Sequence, residues 1–459
     1  MTAGAPFAEP PTATIRSGHV SLTARVTPFD LSGRSVTGLG YNGSFVGPTL
    51  RLNPGQHVTL RLRNRLPVVT NLHFHGMRVS PEGAADNVFR EVAAGRSAGY
   101  RLAIPASHAL GTYWYHDHDM GMNPSLRGAR PTATVGSDPE SEIAAGLAGT
   151  ILIGDDRALL PAALRHVTAH TMVLKDAQIA TAGRIVQNTS GQGGLNSRDP
   201  TVRFVNGLLR PVLTMKPGET QLWRLANEGA DIFYDLQLAG TQFTVIARDG
   251  VPAAKITTQS SLLLAPGSRY DVLVTAPRTP GTVWLNTLRY QNGDGGDVYP
   301  QARMMAVKVA GSSAPVLAMP TGAMPGAPAD LATAKLAQSR TLTLTDGGPV
   351  MYINGRTFNA DRSIFSTPGV AGTVEQWTIV NRTDETHPFH VHTNQFQVMS
   401  IDGRPQPYTT VADTFPVHSH STVVIRVRLA DYPGRWMFHC HIAAHEDQGM
   451  MSYLNVVQR

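Results

Sequence analysis

The chain has 459 residues, of which 42% are hydrophobic and 16% charged, a globular composition that supplies several cores and excludes disorder as the main state. The net charge is +6, and the basic residues are nearly all arginines scattered along the chain, whereas a nucleic-acid groove needs them clustered. No apolar run approaches the roughly 20 residues that cross a bilayer, so a membrane span is excluded. Gly (44) and Pro (32) are abundant and helical periodicity is scarce, which predicts many short strands joined by turns. Residues 1–10 have neither the basic nor the apolar region of a secretion signal. The expectation is therefore either a cytoplasmic protein or a periplasmic or secreted one whose signal is absent from this chain.

In chain order, the first clear element lies between Gly55 and Asn64, where apolar residues alternate as in a half-buried strand. His73 and His75 follow nine and eleven residues after that Asn. A second block, Gly111-Thr-Tyr-Trp-Tyr, leads into His116 and His118. The pattern then returns: Gly218 to Asn227 brackets another alternating segment, and Gly281-Thr-Val-Trp-Leu repeats the second block, but Leu236, Leu238, Asn286 and Leu288 stand where the histidines were. An Ala/Pro/Gly/Met-rich connector follows. The third copy runs from Gly372 to Asn381, then His390 and His392, then Gly434-Arg-Trp-Met-Phe, then His439 and His441. A repeat of this length marks tandem domains. The expected division is 1–155, 156–314, a connector 315–339, and 340–459, with a structural middle domain that holds no metal ligand.

Seventeen histidines scattered at random would give fewer than one His-X-His pair, and this chain has five. On a strand, residues i and i+2 share a face, so each pair presents two imidazoles side by side. Imidazole suits Zn, Cu, Fe and Ni. The four pairs locked to the repeats would surround more than one metal ion between the outer domains. His418-Ser-His420 matches no repeat position and is expected in a solvated loop. Zinc hydrolysis is the rival on spacing alone, and the single cysteine argues against it. Cys440 lies between His439 and His441, so its sulfur points to the opposite face. His445, Met450 and His387 complete two imidazoles, a thiolate and a weak thioether, the donor set of a blue-copper electron-transfer site.

At these residues the chain resembles the three-domain multicopper oxidases, the family of laccases and bacterial copper-tolerance oxidases. The motifs are Leu72-His-Phe-His-Gly76, Trp114-Tyr-His-Asp-His118, His387-Pro-Phe-His-Val-His392 and His439-Cys-His-Ile-Ala-Ala-His-Glu-Asp-Gln-Gly-Met450. Lesser agreements are Gly40-Tyr-Asn-Gly43, Gly47-Pro-Thr-Leu50, Gly146-Leu-Ala-Gly-Thr-Ile-Leu-Ile153 and Ile353-Asn-Gly355. The resemblance covers nearly the whole chain and implies an all-β fold of three tandem cupredoxin-like, Greek-key β-sandwich domains.

It also implies four copper ions. Type 1 copper would take His387, Cys440, His445 and axial Met450, and type 2 copper His73 and His390. The type 3 pair would take His75, His116 and His441 on one ion and His118, His392 and His439 on the other. The implied reaction is four one-electron oxidations of a reductant at type 1 copper, passed through Cys440 to reduce dioxygen to water. Four protons are needed, and the resemblance points to Glu446 as their donor and to Asp86 as an acid near type 2 copper. An alternative for Glu446 is that it orients His445.

The partners implied are a small reductant and dioxygen, with no nucleic acid, no membrane and a monomeric chain. A two-domain nitrite reductase would lack the full set of pairs. A copper-storage or scaffold protein without turnover is the non-enzymatic alternative. Phenols and aromatic amines are the expected reductants, with a cuprous or ferrous metallo-oxidase as the alternative. The connector offers only Met319 and Met324 for soft Cu(I), and Met120 and Met122 form a further small pair.

Overall fold

The three Gly-to-Asn segments are strands His57–Asn64, Thr220–Asn227 and Val374–Asn381 in a computed structural model of the chain, which describes residues 4–119, 139–180, 183–185, 201–348, 350–429 and 432–458. Their alternation is the cause: in His57–Asn64 every second residue is buried, and in the later copies Trp223 and Trp377 are fully buried core anchors. The glycine that opens each copy turns the chain with positive φ: Gly55 (76°), Gly218 (74°) and Gly372 (79°).

The asparagine that closes each copy does the same work three times. The Asn64 amide donates to Val68 O (2.7 Å) and Val92 O (2.9 Å) and its Oδ1 accepts from Leu66 N. Asn227 donates to Ile232 O and Leu264 O and accepts from Gly229 N, while Asn381 donates to Glu385 O and Val417 O and accepts from Thr383 N. All three are buried. Each holds the loop that delivers the next strand. Asn227→Ala is expected to lower the unfolding free energy by about 1–3 kcal/mol, because it leaves buried carbonyls unpaired. A urea titration measures this, and an unchanged midpoint would contradict it.

Each third of the chain is a sandwich of two sheets. The first pairs a sheet Ser35–Tyr41, His19–Asp30, His57–Asn64, Ser97–Ala103 with a sheet Gly47–Leu52, Ala148–Ile153, Gly111–His116, His73–His75. The second and third each pair a six-stranded with a five-stranded sheet. In every copy the Gly-to-Asn strand runs parallel to the first strand of its domain and antiparallel to another, so a crossover connects it. These are three cupredoxin-like sandwiches. Between Val309 and Leu336 there is no helix or strand. No described helix is long and apolar enough to cross a membrane.

The domains share interior. One apolar cluster runs from Met172 to Val456 through the middle and last sandwiches, and another joins Phe29 and Phe45 of the first to Val173 and Phe204 of the middle one. The outer copies keep the same pairing, His73 opposite His116 and His390 opposite His439. The middle copy is slipped by one residue, Leu236 facing Thr287; separately, strand Ala302–Val309 carries a bulge opposite Leu285/Asn286. The alignment of Leu236 with Asn286 by spacing alone is therefore offset in space. A bulge adds a residue without changing the flanking pattern.

Candidate metal centres

Strands His73–His75 and Gly111–His116 from the first domain meet His387–Val391 and Gly434–Cys440 from the third. Eight imidazoles converge there, all buried. His75 stacks on His390 and His73 on His392, each with ring centroids 3.8 Å apart, although their positions differ by more than 300 residues. His118 Nε2 and His392 Nε2 lie 3.4 and 3.1 Å from His439 Nε2. His441 Nε2 lies 3.2 Å from His75 Nδ1. The nitrogens of His75, His116 and His441 form one potential three-ligand group, those of His118, His392 and His439 a second, and His73 and His390 join His75 in a third.

The outer nitrogens of several rings are already engaged. Nδ1 of His73 meets Asp86 Oδ1 (3.0 Å), Nδ1 of His116 meets Asp117 O (2.6 Å), and Nδ1 of His390 meets Asp413 O (2.8 Å). Nδ1 of His439 meets Cys440 O (2.9 Å). These acceptors fix the proton on Nδ1 and aim the Nε2 lone pair inward. Nε2 of His73, His116 and His390 then has no hydrogen-bond partner among the described residues, although each is buried. Burial first, and neighbouring imidazoles second, hold His390 and His392 well below the ordinary histidine range. Neutral rings with unused buried lone pairs fit metal ions, and a hydrogen-bonded histidine core would not leave them idle.

The second site lies on the other side of strand Gly434–Cys440. Cys440 Sγ is 3.4 Å from His387 Nδ1 and 3.6 Å from His445 Nδ1, and the two nitrogens are 3.2 Å apart. Donors each about 2.0–2.3 Å from one ion have this spacing. The far nitrogens are held: His387 Nε2 by Thr383 Oγ1 (2.7 Å) and His445 Nε2 by Glu385 Oε2 (3.2 Å). Met450 is fully buried in the apolar cluster that contains Cys440, and its carbonyl accepts from Cys440 N. Burial pushes the Cys440 thiol up, so a cation in this pocket is what would stabilise the thiolate.

Glu446 sits on the short helix Ala443–Asp447 and is 2% exposed. Its Oε1 is 3.2 Å from His118 Nδ1 and its Oε2 3.1 Å from His439 Nδ1. Burial alone would raise this carboxyl, but those two imidazoles outweigh it and bring it to about 2. The alternative in which Glu446 orients His445 is corrected: the carboxylate at His445 is Glu385, because Glu446 emerges from the helix toward the eight-histidine cluster. Asp86 is buried against His73 and also accepts from Phe74 N (2.8 Å).

His418 and His420 are exposed, and His420 pairs with Asp384 on the surface, as a solvated loop should. Met324 is 4% exposed and packs in an apolar cluster with Leu160 and Leu164, against which Met319 also lies. Met120 and Met122 lie outside the described residues. Sequence reasoning missed Glu385, which precedes His387 in no repeated pattern, and Asp413. Asp413 Oδ1 is 3.1 Å from His75 Nε2, and the residue is fully buried beside Arg269. Burial raises its carboxyl and Arg269 opposes that rise.

Known proteins match this chain along most of its length. Three family models, each for multicopper oxidases, match residues 24–157, 166–307 and 327–459. The multicopper oxidase mco of Staphylococcus epidermidis is 26% identical over 427 residues, covering 91% of this chain and 83% of that protein. A laccase of Bacillus stratosphericus is 27% identical over 493 residues, covering 91% and 90%. The solved structure of a Campylobacter jejuni multicopper oxidase, described as a metallo-oxidase, has a TM-score of 0.84 over 100% of this chain and 96% of that one. At 22% identity that likeness is one of fold.

Proposed function

This chain belongs to the multicopper oxidase family, and from that premise we propose that it is a laccase-type enzyme that oxidises phenols and aromatic amines and reduces dioxygen to two waters. In this reading His387, Cys440, His445 and Met450 hold type 1 copper, and His73 and His390 hold type 2 copper. His75, His116 and His441 hold one type 3 ion, and His118, His392 and His439 the other. Copper, when bound, supplies the one-electron chemistry and the reduction of dioxygen.

The chain's own residues divide the remaining work. His445 is 4% exposed, so a reductant meets its ring edge and not its buried Nδ1. Cys440 joins the two sites, since it ends strand Gly434–Cys440 with His439 before it and His441 directly after it in the chain. In this reading the ionised Glu446 carboxylate, beside His118 and His439, takes up protons from solvent and relays them to the eight-histidine site. Asp86 is the second carboxylate there, and four protons are consumed with four electrons for each dioxygen. One copy of the chain contains every group the reading uses.

The observation that carries the substrate class is Glu385. Its carboxylate is 28% exposed and 3.2 Å from His445 Nε2. A phenol at that ring edge can release its O–H proton to Glu385 as it gives up an electron. Glu385→Gln keeps the shape and removes the proton acceptor, so kcat/KM for a phenol is expected to fall on the order of 10²-fold. Oxidation of a substrate that has no proton to lose should change little.

A metallo-oxidase is the second reading. It is favoured by the same Glu385, whose partly exposed carboxylate 3.2 Å from His445 Nε2 would also attract a cation to that ring edge. Turnover of a phenol, Cu(I) and Fe(II) by the copper-loaded protein decides between them. A kcat/KM for either metal ion well above that for the phenol would sink the laccase reading.

A further inference from the structure

The middle domain supplies no histidine to either centre, yet its backbone and one of its charges reach the eight-histidine cluster. We propose that Arg269 is a positioning residue of that cluster, acting through Asp413 to fix the orientation and tautomer of His75 and the placement of His390. The inference rests on the reading of the eight histidines as copper ligands.

Arg269 opens strand Arg269–Thr275 and is fully buried. Its guanidinium grips Asp413 with both forks, Nη1 to Oδ1 (2.9 Å) and Nη2 to Oδ2 (2.7 Å). Nη1 also donates to Gly267 O (2.8 Å), and Nε donates to Thr112 O of the first domain (3.3 Å). Asp249 closes the frame, accepting from Arg269 N at Oδ1 and from Asp413 N at Oδ2. Three domains are therefore tied at one carboxylate.

That carboxylate is aimed. Asp413 Oδ1 lies 3.1 Å from His75 Nε2 and accepts from Thr414 Oγ1 (2.9 Å), while Asp413 O accepts from His390 Nδ1 (2.8 Å). With Nε2–H of His75 held there, the Nδ1 lone pair is the one turned toward His441. An acceptor that fixes the tautomer of a ligating histidine is worth about 10–100-fold in metal affinity. A planar two-point clamp keeps the carboxylate from rotating, which a single ammonium cannot do.

The fit leaves no slack. A Cβ on Gly76 would collide with Arg269 Nη2 and Asp413 Oδ2. A Cβ on Gly267 would meet His441 Cδ2 at 2.9 Å and His75 Cε1 at 3.1 Å, so middle-domain backbone forms one wall of the cluster.

The test uses the full chain with Arg269→Gln and Arg269→Lys. Copper per chain, copper affinity and the electron paramagnetic resonance spectrum of the type 2 ion are measured, with the blue absorption as the internal standard for a folded third domain. Arg269→Gln is expected to keep the blue band and lose about 10–100-fold in affinity at the cluster. Arg269→Lys keeps the buried charge, so it should load copper more fully but with an altered type 2 spectrum. Parent affinity and parent spectrum in Arg269→Lys would overturn the proposal, whether or not Arg269→Gln folds. A parent protein that binds only the blue copper would instead overturn the ligand reading itself, independently of Arg269.

Discussion

Cys440→Ser should abolish the intense blue absorption and essentially all oxidase turnover while leaving most of the bound copper in place. The colour of such a site comes from charge transfer between Cu(II) and a thiolate, which a serine hydroxyl does not provide. Cys440 Sγ stands 3.4 Å from His387 Nδ1 and 3.6 Å from His445 Nδ1, so it is the thiolate this site would use. The other cluster is untouched by the change, because six of its eight rings are held by Asp86, Asp413, Glu446 and main-chain carbonyls. Copper content should therefore fall from about four ions per chain toward three, in line with three remaining histidine groups. Metal analysis and the visible spectrum read both quantities. A variant that kept its blue band would remove Cys440 from the ligand set.

Glu446→Gln should split the catalytic cycle in two. Bleaching of the blue colour by substrate should proceed near the parent rate, since His387, Cys440, His445 and Met450 are unchanged and the Glu446 carboxylate lies against His118 and His439. Reoxidation by dioxygen should slow on the order of 10²–10⁴-fold, the usual contribution of a positioned proton donor. The defect should deepen as pH rises, because bulk protons that could substitute become scarcer. Glutamine retains an oxygen able to accept from His439 Nδ1, so a purely orienting role would survive the substitution. Stopped-flow records of bleaching and recolouring, taken separately, test this, and normal recolouring at high pH would end the proton-donor reading. Copper content measured on the same sample separates slow chemistry from lost metal.

Much of this protein is written in local pattern. The alternation between Gly55 and Asn64, and in the third copy, determined strands because one face had to be buried, whereas the middle copy, Thr220–Asn227, is buried on both faces by its neighbours. The His-X-His spacing determined paired imidazoles, and Cys440 between His439 and His441 determined two sites back to back on one strand, because strand side chains alternate. The repeat also located the copies without imidazoles.

What the sequence did not contain was any relation between residues whose spacing carries no period. His75 meets Asp413 across 338 positions, and Arg269 reaches Asp413 across 144. The one-residue offset of Leu236 from Asn286 has no composition signal. Glu446 and Glu385 are each near a histidine in sequence, but the helix at Ala443–Asp447 turns Glu446 to His118 and His439 and leaves His445 to Glu385. Side-chain direction at a helix start, and hydrogen bonds between domains, depend on how three sandwiches pack. Only the tertiary structure decided which carboxylate holds which ring, and that Gly267 and Arg269 of the middle domain stand against the cluster.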